Sequence, residues 1–226
     1  MKSETKAIAA KKSVTKESAE KLTKALNSRS DGKILRLVQL AILTAITVVM
    51  AATPLGYLPV GALKISFLMV PVVVGAIITG PAGGAYLGTV FGITSFMTCV
   101  TGTDAFGAMI LELNPLLTFI LCVPTRTLAG LFPALLVKLL QGKARNRFLY
   151  PAAALFGSLC NTVFFLGTLL LAFGNNADVA AGLGFTDGNI IAYIAATVVA
   201  INGALEASAC TVVGAGLSGI IGKFKK

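Results

Sequence analysis

The feature that most constrains this chain is a series of long apolar stretches separated by short gaps. The first of them, from Ile34 to Ala52, is close to the roughly 20 residues that a helix needs to cross a hydrocarbon core of about 30 Å. Charged residues make up only 12% of the chain and hydrophobic residues 56%, with a mean hydropathy of +0.87. Lipid is therefore the predicted solvent, and the predicted fold is an all-α integral membrane bundle.

Six transmembrane helices are predicted from the apolar stretches and the Gly- and Pro-rich breaks between them. They run from Ile34 to Ala52, from Ile65 to about Thr79, from the turn at Gly80–Gly84 to near Cys99, from about Glu112 to Leu140, from Tyr150 to Phe173, and in a final segment that ends near Gly222. The loop between the third and fourth helices is expected from Val100 to about Met109. Residues 1–33 are predicted to be a basic cytoplasmic tail, and residues 34–226 the membrane domain.

The basic residues predict the orientation of these helices. Seventeen of the 19 Lys and Arg residues fall on one side of the proposed spans, and only Lys64 and Arg126 do not. Short cytoplasmic loops accumulate Lys and Arg, so both termini are predicted to be cytoplasmic in a bacterial plasma membrane. This placement also explains the net charge of +10 without a nucleic-acid partner.

The residues that support catalysis or metal binding are missing from the sequence. It has no His, no G-x-x-x-x-G-K-[ST] phosphate loop and no G-x-S-x-G nucleophile elbow. Its four cysteines lie in apolar segments without a C-x-x-C pair, which is typical of small core residues. We therefore predict neither an enzyme nor a metal or cofactor, and any uphill transport would need a coupled ion or an ATP-hydrolysing partner.

Two charged residues, Arg126 and Glu206, fall inside apolar segments. A charge at the centre of a membrane helix costs at least about 2.5 to 3.5 kcal/mol, so each needs a compensating partner. They could pair with each other and join two helices, or Arg126 could meet a ligand carboxylate or phosphate in a cavity. Further polar residues in or near the spans favour a small polar-ligand pocket: Asn114, Asn161, Asn202 and Lys64.

The first predicted helix also carries a pair of small residues, Ala41 and Ala45, one turn apart on one face. Small residues at this spacing let another helix approach closely. The pattern alone fits packing within the bundle as well as docking of a partner.

Several motifs, in this order, resemble the substrate-binding S components of energy-coupling factor (ECF) vitamin transporters. They are the A-x-x-x-A at Ala41 and Ala45, Gly56-Tyr57-Leu58-Pro59-Val60-Gly61, Val74-Gly75-Ala76-Ile77-Ile78-Thr79-Gly80-Pro81, Gly88-x-x-Phe91-Gly92-Ile93-Thr94-Ser95-Phe96, Asn114-Pro115, Pro124-Thr125-Arg126, Gly157-Ser158-Leu159-Cys160-Asn161-Thr162 and Asn202-Gly203-Ala204-Leu205-Glu206. The resemblance covers about Ile34 to Lys226 and is nearest to pantothenate-type members.

This resemblance implies a membrane subunit that binds a vitamin outside the cell and docks on a transmembrane coupling (T) component with two cytoplasmic ATPases. Ala41 and Ala45 would then form the docking face. The implied substrate-binding residues are Asn114, Arg126, Asn161, Asn202 and Glu206, with Lys64 and Tyr57 contributing from a lid.

The ligand is left open by the sequence. Pantothenate, a carboxylate with hydroxyl and amide groups, matches one Arg and several Asn. Riboflavin, folate, pyridoxine or a thiamine precursor are alternatives within the same family. The rival functions are an autonomous ion-coupled carrier, which would transport without ATPases, and a bundle with only a structural role, which would bind no ligand.

Overall fold

The computed structural model describes residues 32–53, 56–60, 63–141, 146–174, 176, 179 and 203–224, without the side chains of 58–60, 63–65, 146, 147, 203 and 218–224. Most of the predicted tail, the residue Asn202 and the beginning of the last predicted span lie outside these residues. The helices and strands are α1 (Gly32–Ala52), β1 (Tyr57–Val60), β2 (Leu63–Ser66), α2 (Met69–Thr79), α3 (Pro81–Val100), α4 (Ala105–Leu113), α5 (Pro115–Leu140), α6 (Asn146–Phe173) and α7 (Gly203–Phe224).

Length and composition allow four of the described helices to cross a membrane. These are α1, α3, α5 and α6, and α2 and α7 contribute shorter apolar helices. Large apolar side chains on the outside of the bundle, such as Leu116, Leu139, Val163 and Leu171, are exposed, as expected where lipid rather than water surrounds the protein. The prediction of a helical membrane bundle is thus confirmed at this level.

The second helix does not begin where the sequence predicts. Residues 57–60 and 63–66 form a pair of antiparallel strands, the hairpin, in which Tyr57 pairs with Ser66, and α2 begins only at Met69. The alternation of apolar and polar residues in Leu63–Ser66 is a strand pattern that the apolar run obscured. The predicted non-helical connection after α1 is correct, but it continues to residue 68.

The fourth predicted helix is wrong at its beginning, because the structure divides it at Asn114. The short helix α4 already begins at Ala105, inside the predicted loop, and α5 begins at Pro115. Proline disfavours the helical conformation of the residue before it, and Asn114 is accordingly extended, with φ −158° and ψ 102°. Its side-chain oxygen then accepts hydrogen bonds from the amides of Leu116 and Leu117, which caps α5.

The joint between α2 and α3 is tighter than the predicted five-residue turn. Only Gly80 is outside the helices, with a φ of +82° that suits glycine, and Pro81 opens α3 at a position where its missing amide hydrogen costs nothing. The predicted ends of the third and fifth spans agree with the structure within one residue, at Val100 and Phe173.

The chain divides into two compact units, Met1–Gln39 and Leu40–Lys226. The described part of the first unit is only the beginning of α1, whose side chains are mostly exposed. The second unit holds the main hydrophobic core, built around Leu68, Met69, Leu87 and Phe91, with Leu43 of α1 packed against it.

Within the second unit, α3 and α5 lie with their backbones in contact. A side chain on Gly84 would collide with the carbonyl oxygen of Gly130, and one on Gly88 would collide with that of Arg126. A hydrogen bond of 2.9 Å between the hydroxyl groups of Thr89 and Thr127 joins the same two helices. Small residues that let backbones approach closely are a common means of association in membrane bundles.

We therefore expect Gly88→Ala to destabilise the protein by about 1 to 3 kcal/mol, because the added methyl group forces α3 away from α5. The matched control is Gly167→Ala in α6, where a methyl group meets nothing within 4 Å. Thermal unfolding in detergent can be followed by a thiol-reactive fluorophore that labels the buried Cys99 and Cys210 on unfolding. Equal melting temperatures for the two variants would contradict the close contact of α3 and α5.

Candidate functional site

A cavity lies between the hairpin and the helices α3 to α7. The cavity has a volume of about 80 Å³ and is open at its mouth. Residues from both strands and all five helices line it, among them Tyr57, Ser95, Arg126, Asn161 and Glu206. Three residues from the predicted pocket, Arg126, Asn161 and Glu206, therefore share one cavity with Tyr57 of the predicted lid.

Arg126 lies in the middle of α5 and is 8% exposed. Its guanidinium carbon is 4.9 Å from the centre of the Phe91 ring of α3 and 5.0 Å from that of Phe165 of α6. Two aromatic faces thus contribute favourable cation–π contacts, each worth about 0.5 to 2 kcal/mol. Within the described ranges, no carboxylate forms a salt bridge with this charge.

The backbone of α5 satisfies part of the same guanidinium group. Nη1 donates to the carbonyl oxygens of Leu121 at 3.1 Å and of Cys122 at 3.3 Å. Nε, by contrast, is buried with no hydrogen-bond partner in the described part of the chain. An orphaned charged donor beside a cavity indicates a missing acceptor.

Glu206 lies in α7, whose described part begins at Gly203, and it is 4% exposed. Asn161 of α6 donates from Nδ2 to its Oε1 at 3.0 Å. Among the described residues, Glu206 and Arg126 therefore have separate partners and form no ion pair with each other. Of the two interpretations that the sequence allows, the direct pair is absent from this part of the structure.

Tyr57 enters the cavity from β1, opposite Ser66 of β2. Its hydroxyl group is buried and has no hydrogen-bond partner among the residues that the structure describes. Burial raises the pKa of Tyr57, against the opposing effect of the Arg126 charge, so the phenol remains protonated at neutral pH. The Tyr57 hydroxyl is thus a neutral hydrogen-bond donor in the same cavity as the cationic donor Arg126.

Other predicted residues are placed elsewhere or lie outside the described part. Asn114 does not line this cavity, because its side-chain oxygen is engaged in the cap of α5. The backbone of Lys64 is in β2, but its side chain is not described, and Asn202 is not described at all. Ala41 and Ala45 are both exposed on α1.

The sequence did not reveal the two aromatic residues that contact Arg126, Phe91 and Phe165, or all of the residues that line the cavity. Phe91 follows Gly88 in one of the motifs that carry the family resemblance, so its importance could have been inferred. Phe165 has no distinguishing signal among 13 phenylalanines. Cys99 and Cys122, which were interpreted as core residues, are buried but also line the cavity.

Comparison with known proteins identifies the family of this chain. The family model described as "ECF transporter, substrate-specific component" matches residues 35–217. The chain is also 33% identical over 121 residues to the pantothenic acid transporter PanT of Lactococcus lactis subsp. cremoris (strain MG1363). That match covers 50% of this chain and 59% of the relative, so the chain spans less than two thirds of its length.

Proposed function

The chain belongs to the family of ECF transporter substrate-specific components, and from this premise we propose that it is the pantothenate-binding subunit of a vitamin importer. The family is one of transport components, not of enzymes. The observation that carries the choice of ligand is the Arg126 guanidinium, which is buried in a cavity with Nε unpartnered. The similarity to a pantothenic acid transporter points to the same ligand.

The chemistry of the cavity suits pantothenate, which has a carboxylate, an amide and two hydroxyl groups. Arg126 supplies a cation for the carboxylate, and Asn161 and Glu206 supply amide and carboxyl groups for hydrogen bonds. A flavin would more naturally stack on Trp or on several Tyr residues, whereas the chain has no Trp and four Tyr.

As proposed, the subunit has six spans with both termini in the cytoplasm of a bacterial cell. It takes the vitamin from outside and passes it on by docking on a transmembrane coupling component with two ATPases. The sequence has no phosphate loop of its own, so ATP hydrolysis is assigned to these partners. The distribution of Lys and Arg supports the orientation.

Replacing Arg126 tests the ligand site. We expect Arg126→Met to weaken pantothenate binding about 10- to 150-fold, because the carboxylate loses a charge-assisted hydrogen bond worth about 1.5 to 3 kcal/mol. Met keeps a side chain of similar length, and no described carboxylate loses a salt-bridge partner when Arg126 is replaced. The melting temperature should therefore change little. The measurement is calorimetric titration of the purified chain in detergent.

Lys138→Met on the exposed last turn of α5 is the matched control and should bind as the wild type does. Wild-type affinity in Arg126→Met would remove Arg126 from the site. Failure of the wild-type chain to bind pantothenate, with tight binding of another vitamin, would replace the ligand and keep the proposed class.

The proposed docking face is tested on α1. Ala45→Trp should block ATP-driven uptake in liposomes that contain all the subunits, because a bulky side chain keeps the coupling component away. Binding of pantothenate should be unchanged, since Ala45 is exposed and lines no part of the cavity.

The control for docking is Ile46→Trp, on another part of the same exposed helix surface. Uptake by Ala45→Trp at the wild-type rate would contradict the assignment of this face. Uptake by the chain alone in liposomes, driven by an ion gradient, would favour the autonomous carrier instead.

A further inference from the structure

Two hydrogen-bond donors in the cavity lack acceptors. Among the described residues, Arg126 Nε and the Tyr57 hydroxyl are buried polar atoms without a partner. Both side chains line the cavity, and the hydroxyl groups of Ser95 and Thr94 lie near that of Tyr57 without the geometry of a hydrogen bond. Orphaned buried donors are costly, and two in one cavity are explained if a ligand supplies an acceptor to both.

A carboxyl group, which can accept hydrogen bonds, lies on another wall of the same cavity. Glu206 of α7 lines it, and the Oε1 atom of this residue accepts a hydrogen bond from Asn161. Asn161 holds the carboxyl group in place but does not occupy both of its oxygens in the described part of the chain. This wall therefore offers a carboxyl group and an amide for hydrogen bonds with hydroxyl groups of a ligand.

We propose that Tyr57 and Arg126 together bind the ligand carboxylate, and that Glu206 and Asn161 bind the hydroxyl-bearing end. The inference rests on the proposed function and adds to it an orientation of the ligand and a specificity-determining residue, Tyr57. Because Tyr57 belongs to the hairpin, its hydrogen bond to the carboxylate also ties β1 to the bound ligand. A molecule with only one of the two ends would bind weakly.

The orientation is tested by comparing pantothenate with pantothenol, in which a primary alcohol replaces the carboxylate. Both are titrated calorimetrically into the full chain in detergent, as the wild type and as the variants Tyr57→Phe, Glu206→Gln and Tyr86→Phe. Tyr86 is exposed on α3, away from the cavity, so Tyr86→Phe is the matched control. Thermal unfolding of each variant verifies that it is folded.

We expect the wild type to bind pantothenate about 10- to 150-fold tighter than pantothenol, since the alcohol loses the charge-assisted contact. Tyr57→Phe should weaken pantothenate about tenfold and pantothenol less than about twofold, because the removed hydroxyl serves the carboxylate alone. Glu206→Gln should weaken both ligands by a similar factor. Tyr86→Phe should bind as the wild type does.

Equal affinity of the wild type for the two compounds would overturn the inference and leave pantothenate as the ligand. An equal loss for both compounds in Tyr57→Phe would also overturn it, since it would place Tyr57 away from the carboxylate. If the wild type binds neither compound, the proposed function fails, and the inference fails with it.

Discussion

The packing of the helices around the cavity depends on how the buried guanidinium group of Arg126 is stabilised. Arg126 is surrounded by apolar helices, where a charge is expensive, and the structure compensates it with two aromatic faces and two backbone carbonyls. These contacts come from α3, α5 and α6, so the helices must keep their positions for the charge to be tolerated. Nε has no partner among the residues that the structure describes, and this unmet donor is the basis of the proposed ligand site.

The close contact of α3 and α5 makes this compensation possible. Gly88 lies against the carbonyl oxygen of Arg126 itself, one turn before Phe91 stacks on the guanidinium group. A larger residue at 88 would separate the helices and move the ring away from the charge. The stability of the bundle and the shape of the cavity therefore both depend on the close contact between Gly88 and the backbone of Arg126.

The sequence predicted the helical membrane bundle and singled out Arg126 and Glu206, which line one cavity, because charged residues in apolar spans are conspicuous. It could not decide between an ion pair and separate partners, since that depends on side-chain directions between distant helices. It also misplaced Asn114, because an Asn before Pro serves as well for a helix cap as for a ligand contact. The hairpin that carries Tyr57 was hidden because a short strand and an apolar helix end look alike.

The most direct test of the account is to identify what the protein carries. The full chain is purified in detergent and denatured, the released small molecules are identified by mass spectrometry, and the compound found is titrated back calorimetrically. The account predicts pantothenate, released in a substantial fraction of the protein and bound again tightly. A different vitamin would contradict the assigned ligand, and the absence of any bound or titrating carboxylate would contradict the role of the Arg126 cavity.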